Sequence, residues 1–182
     1  MSLRDDVVRI ARGEAAKPVA WSTDENRILE YFAASTGQVW DKKRALTISW
    51  CSYFVHWVLL QAKVNPTPKV GTGTSLGKLG SIGRFMKSFG GVYADRSVQL
   101  HDYRPIPGDM FYLPVPHDHI GLIVDVQDLK GGQYQIDTIN GNSGPDGPSP
   151  LFDSSPLIGK NFVFRRSRQL PGNSWYIKLP TP

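Results

Sequence analysis

Cys51 is the only cysteine of the chain, and it opens an apolar run, Cys51-Ser52-Tyr53-Phe54-Val55-His56-Trp57-Val58-Leu59-Leu60. The preceding Thr47-Ile48-Ser49-Trp50 is a short polar lead-in with Ser49 as the expected N-cap, so the run predicts a helix with Cys51 in its first turn. There the helix leaves backbone N–H groups without intrahelical partners and presents the positive end of its dipole, and both favour a thiolate. The thiolate is the reactive form of cysteine. A lone cysteine is more often a small buried hydrophobe, so the chemistry depends on what the rest of the chain supplies.

A nucleophilic thiol needs a base, and the base needs a group that fixes its ring. The chain has four histidines. His56 lies on the Cys51 helix but on another face, and His101 sits in an unpatterned charged segment. His117 and His119 occur in Pro116-His117-Asp118-His119-Ile120-Gly121-Leu122-Ile123-Val124, at the mouth of the clearest strand pattern. His119 directly abuts that strand and is the better base; His117 stands further out in the loop. The orienting group is expected from the neighbouring strand, which ends in Asn140-Gly141-Asn142-Ser143-Gly144. Asn140 is placed to accept a hydrogen bond from His119 and fix its tautomer, with Asn142 assisting at the rim. Composition alone would also explain that segment as a turn.

These residues must be carried by a small set of elements. Val7, Val8, Ile10 and Ala11 suggest a first helix ending near Gly13. Residues 24–35 predict a second, capped by Ser22 or Thr23 and stopped before Gly37. The Cys51 helix is apolar nearly all round, hence buried, and runs to about Ala62 before Asn65-Pro66. Residues 65–80 read as a Gly/Pro/Thr-rich rim loop. Its Gly-Lys is followed by Leu79 rather than Ser or Thr, and no buried strand precedes it, which argues against a phosphate-binding loop. A short helix is expected over residues 81–88. Strands are expected at 109–113, 120–126, 133–139 and 161–166, the middle two joined across Lys130-Gly131-Gly132 as a hairpin. Residues 145–156 and 180–182 read as a long loop and a tail. Helices first and antiparallel strands second make an α+β pattern rather than a βαβ alternation.

In order, the chain shows Trp50-Cys51 and Phe54 at a helix start, then Pro107-Gly108-Asp109 before a strand. His119-Ile120-Gly121-Leu122-Ile123-Val124 follows, and Asn140-Gly141-Asn142 closes the next strand. This ordered set, over roughly residues 40–165, resembles the CHAP family, the cysteine, histidine-dependent amidohydrolases/peptidases within the NlpC/P60 group of papain-like enzymes. The resemblance implies a papain-like domain with helices packed on an antiparallel sheet. It also implies a Cys51/His119/Asn140 thiol mechanism that needs no cofactor or metal. Trp40, Trp50, Tyr112, Asn142 and Pro114-Val115-Pro116 would line the substrate cleft. The implied substrate is peptidoglycan, cut at the glycan–peptide amide or within the stem peptide, as by a phage lysin or an injected antibacterial effector. An effector of that kind implies a cognate immunity protein as partner.

Composition sets outer limits. At 182 residues, with 40% hydrophobic and 20% charged residues, the expectation is one globular domain acting as a monomer. A single cysteine excludes an intrachain disulfide. The net charge of +5 suits an anionic polymer, but Lys and Arg are scattered apart from Arg165, Arg166 and Arg168, and no nucleic-acid motif appears. One cysteine with the close pair His117/His119 does not supply a usual zinc set. No apolar run is long enough for a membrane span, and the first ten residues lack the core of a signal peptide. Synthesis in the cytoplasm and delivery to the wall by another route are expected. A non-catalytic wall-binding module, or a papain-like protease or acyltransferase acting on protein substrates, would fit parts of the same pattern.

Overall fold

The charged start of the chain is organised by Ser2 and Asp5, which cap each other: the Asp5 N–H donates to Ser2 Oγ (3.2 Å) and the Ser2 N–H to Asp5 Oδ2 (2.8 Å). This capping box starts helix α1 (Leu3–Ala15). The computed structural model describes residues 2–17, 19–64, 91–93, 103–113, 119–129, 134–144, 147–148, 162–168 and 174–179. Helix α1 passes through Gly13 rather than ending there. A glycine inside a helix costs only about 1 kcal/mol, and the next turn carries Glu14, which is buried on the same face as Val7 and Ala11.

Helix α2 (Glu25–Thr36) is capped by Asp24, whose Oδ1 accepts from the Arg27 N–H at 3.1 Å. Neither Ser22 nor Thr23 takes that place; Thr23 Oγ1 instead accepts the Ala20 N–H at 3.0 Å. Gly37 ends the helix in the left-handed conformation, φ +68°. A short turn of helix, α3 (Lys42–Ala45), was not anticipated from sequence. Helix α4 (Cys51–Gln61) is buried from Cys51 to Leu59. Its cap position is held by Trp50 rather than Ser49, and Trp50 makes no side-chain capping bond.

The strands follow the helices. They are β1 (Gly91–Tyr93), β2 (Met110–Leu113), β3 (His119–Asp128), β4 (Tyr134–Gly144), β5 (Gly147–Pro148), β6 (Phe162–Arg168) and β7 (Trp175–Ile177). The expected four are present as β2, β3, β4 and β6; β1, β5 and β7 are additions. All pair antiparallel in one sheet, in the order β1-β7-β2-β3-β4-β5, with β6 also on β4. The molecule is therefore α+β. The expectations over residues 65–80 and 81–88, and those for His101, His117 and Pro114-Val115-Pro116, fall outside the described residues.

Period-two alternation divides the sheet between two cores. Met110, Tyr112, Ile120, Leu122, Val124 and Ile139 pack with the helices, whereas Phe111, Leu113, Ile123, Ile136 and Tyr176 form a cluster of their own. The near-continuous apolar runs of β2 and β3 thus reflect burial on both faces. The Pro107-Gly108-Asp109 turn locks the sheet to α1. Gly108 has φ +95°, and a side chain there would meet Arg4 at 3.0 Å. Asp109, fully buried, accepts from Arg4 Nη1 (2.6 Å), the Ile106 N–H (3.1 Å), the Leu179 N–H (2.9 Å) and the Tyr103 hydroxyl. A buried carboxylate with that many donors is a fastener between α1, the start of β2 and the C-terminal segment.

Candidate active site

His119 is the first residue of β3, opposite Leu113 of β2, and only 2% exposed. Its Nε2 lies 3.2 Å from Asn140 Oδ1 on β4. The amide is oriented by its other end, since Asn140 Nδ2 donates to Thr138 Oγ1 at 3.0 Å. With the amide oxygen facing the imidazole, Nε2 carries a hydrogen and donates to it, as it would in either the neutral ring or the imidazolium. Phe111 flanks the ring at 6.1 Å between centroids.

Two glycines make the close approaches that hold this geometry. A Cβ on Gly121 would stand 2.2 Å from Asn140 Oδ1 and 2.6 Å from the Phe111 ring. A Cβ on Gly141 would stand 2.6 Å from Phe54 Cβ and 2.9 Å from the Trp50 ring. Gly121 thus gives Asn140 its space beside His119, and Gly141 seats β4 directly on the first turn of α4.

The next residue of β4, Asn142, turns the strand toward the cysteine. It has φ +55°, an uncommon left-handed conformation that asparagine tolerates better than most residues, and the β4–β6 register shifts between Asn140 and Ser143. Asn142 Nδ2 donates to Ser49 Oγ at 2.7 Å. Ser49 Oγ in turn lies 3.5 Å from Cys51 Sγ. One strand therefore holds the histidine through Asn140 and the cysteine's neighbour through Asn142.

Cys51, His119, Asn140 and Asn142 are all buried, at 1%, 2%, 0% and 5% exposure. Trp50 is fully buried, stacked on Tyr31 at 5.8 Å and packed closely against Gly141. Tyr112 is 4% exposed and packs with the helix-side core. Asn142 was expected at a rim and is instead buried against Ser49. Ser49 itself was assigned only a capping role. The signal that could have found it is its position two residues before the cysteine, with an asparagine-rich strand end elsewhere to orient it.

His56 is held neutral by its surroundings. It is 6% exposed, and burial lowers its pKa to about 4. The ring lies inside α4 among the buried residues Cys51 to Leu59. Among the described residues no cluster of His, Cys, Asp and Glu is arranged to hold a metal ion, and no helix is long and apolar enough to cross a membrane.

Comparison with protein-family models, with curated proteins and with solved structures returns no match to this chain.

Proposed function

We propose that this chain is a cysteine amidohydrolase or peptidase of the CHAP type, with a papain-like arrangement, acting on bacterial peptidoglycan. The observation that carries the reading is the His119 Nε2–Asn140 Oδ1 pair, with Thr138 fixing the amide. A buried imidazole held in one tautomer by a neutral amide is suited to proton transfer, and β4 brings the same strand to the only cysteine.

The roles follow from the chemistry. Cys51 thiolate, at the start of α4, attacks an amide carbonyl carbon; a C–S bond forms and the oxygen takes up the negative charge. The Cys51 backbone N–H donates to that oxyanion. His119, as imidazolium, gives its proton to the leaving amine as the C–N bond breaks. Water then adds to the thioester carbonyl and gives its proton to His119. The carboxylic acid leaves and the thiolate returns. Asn140 keeps the ring oriented through both proton transfers, and no cofactor or metal enters the cycle.

The substrate class rests on the resemblance of Trp50-Cys51, Pro107-Gly108-Asp109, His119–Val124 and Asn140-Gly141-Asn142 to wall amidases, and on the net charge of +5, which suits an anionic wall. An antibacterial effector guarded by an immunity protein is the favoured setting, and a phage lysin domain the next. Digestion of purified sacculi with mass spectrometry of the fragments tests the assignment. New stem-peptide amines without new reducing ends are expected and would locate the bond. Cleavage of protein substrates alone would move the chain to the papain-like proteases.

A further inference from the structure

Ser49 has one hydroxyl hydrogen and two lone pairs. Asn142 Nδ2, 2.7 Å away, can only donate, so it occupies one of the lone pairs. The hydroxyl hydrogen remains, and Cys51 Sγ lies within sulfur hydrogen-bonding reach at 3.5 Å. The Asn142 backbone adopts its left-handed conformation where the β4–β6 register breaks, and from there its side chain reaches Ser49. Ser49 is 7% exposed and Asn142 5% exposed, so water does not compete freely for either group.

We propose that Ser49, oriented by Asn142, is a positioning residue that donates its hydroxyl hydrogen bond to the Cys51 sulfur and so favours the thiolate. This rests on the reading of Cys51 as the working nucleophile, but it concerns a different physical property, the ionisation of the thiol. A thiolate accepts a hydrogen bond far better than a thiol does, so a fixed donor at the sulfur stabilises the charged form. The arrangement gives the sulfur support from β4 that does not pass through His119. The opposite polarity, in which Cys51 donates to Ser49, would stabilise the thiol instead, and experiment separates the two by sign.

The chain's single cysteine makes the measurement clean. In protein labelled with ¹³C at the cysteine Cβ, one NMR resonance reports the thiol as pH is varied, without substrate and without turnover. Ser49→Ala should raise the titration midpoint by about one pH unit, the scale of one lost charge-assisted hydrogen bond. Asn142→Gly, which suits the left-handed backbone while removing the amide, should raise it by a smaller amount. Ser49→Thr, which keeps the hydroxyl, should restore it. Among the described residues, the other buried carboxyl and imidazole groups, Glu14, Asp109, His56 and His119, remain in all three variants. An unchanged or lowered midpoint in folded Ser49→Ala overturns the proposal. If that variant does not fold, the Asn142→Gly titration decides on the same terms. Loss of wall hydrolysis in the wild type would instead strike the functional reading and leave this titration standing.

Discussion

Gly121 of β3 and Asn140 of β4 approach so closely that a methyl group on the glycine would lie 2.2 Å from the Asn140 side-chain oxygen. That oxygen is the one paired with His119. Gly121→Ala should therefore push the amide off the imidazole, or push Phe111, whose ring lies on the same side. Overpacking of this kind costs about 1–3 kcal/mol. The expected outcome is a folded, less stable protein with activity reduced at least about tenfold, since tenfold is about 1.4 kcal/mol of barrier. Thermal unfolding and a sacculus-release assay on one preparation check it; full activity would show that the pair is not needed.

His119→Ala should lose at least about two orders of magnitude in rate, the usual scale for a positioned base. His117→Ala should lose far less, because the sequence places His117 away from the rigid start of β3. Rates for the two variants, with circular dichroism to confirm folding, test the choice between them. A reversed order would make His117 the base.

Asn140 holds a ring and neither moves a proton nor forms a bond. Asn140→Ala should lower the rate by roughly tenfold and leave a measurable remainder, in line with about 1–2 kcal/mol for a lost hydrogen bond. Asn140→Asp places a negative charge beside the imidazole, which stabilises its protonated form and should raise the His119 pKa. The alkaline limb of the pH–rate profile, where the imidazolium loses its proton, should move upward in that variant. A downward move would contradict the contact as described.

Two buried groups make stability depend on pH in windows that overlap only between about 4 and 4.5. Burial lowers His56 from its ordinary 6.5 to about 4, so between these values the unfolded chain binds a proton that the folded one does not. Stability should fall as pH drops through that range, by roughly 3 kcal/mol in total. Glu14 behaves differently. Burial alone would raise its pKa, but hydrogen bonds from Arg27, Tyr31 and Lys17 outweigh it and hold the carboxyl down at about 2. Its contribution is complete above the ordinary 4.5 and is lost as pH falls toward 2. Denaturant unfolding at pH 7, 5.5 and 4 should show the first loss, and His56→Gln should flatten it. An equal slope in that variant would assign the loss to other groups.

The elements with strong periodicity were legible from sequence, and the reasons are local. The apolar run from Cys51 read as a buried helix from its length, and the β-branched apolar run Ile120–Val126 and the segment Tyr134–Ile139 read as paired strands across a glycine-containing connection. The proximity of His119 to Asn140 followed from a short hairpin between strands that the structure pairs as β3 and β4. What was not legible depends on contacts distant in sequence. Ser49 lies one residue before the cap position, which Trp50 takes, and its hydroxyl instead meets Asn142, 93 residues away. The segment Asn140–Gly144 has the composition of a turn yet continues β4, since Gly141 packs on Trp50 and Phe54 while β5 and β6 pair with its final residues. Short strands such as β7 carry too few residues for a pattern and are fixed by partners alone, here β1 and β2.

Bond formation between the Cys51 sulfur and the substrate carbonyl is tested most directly by comparing wild-type protein with Cys51→Ala on purified peptidoglycan. No other thiol exists in the chain to substitute for it. The wild type should release stem-peptide amines, and folded Cys51→Ala should release none above background. Near-normal release by Cys51→Ala, or sacculi of several wall types left intact by the wild type, would contradict it.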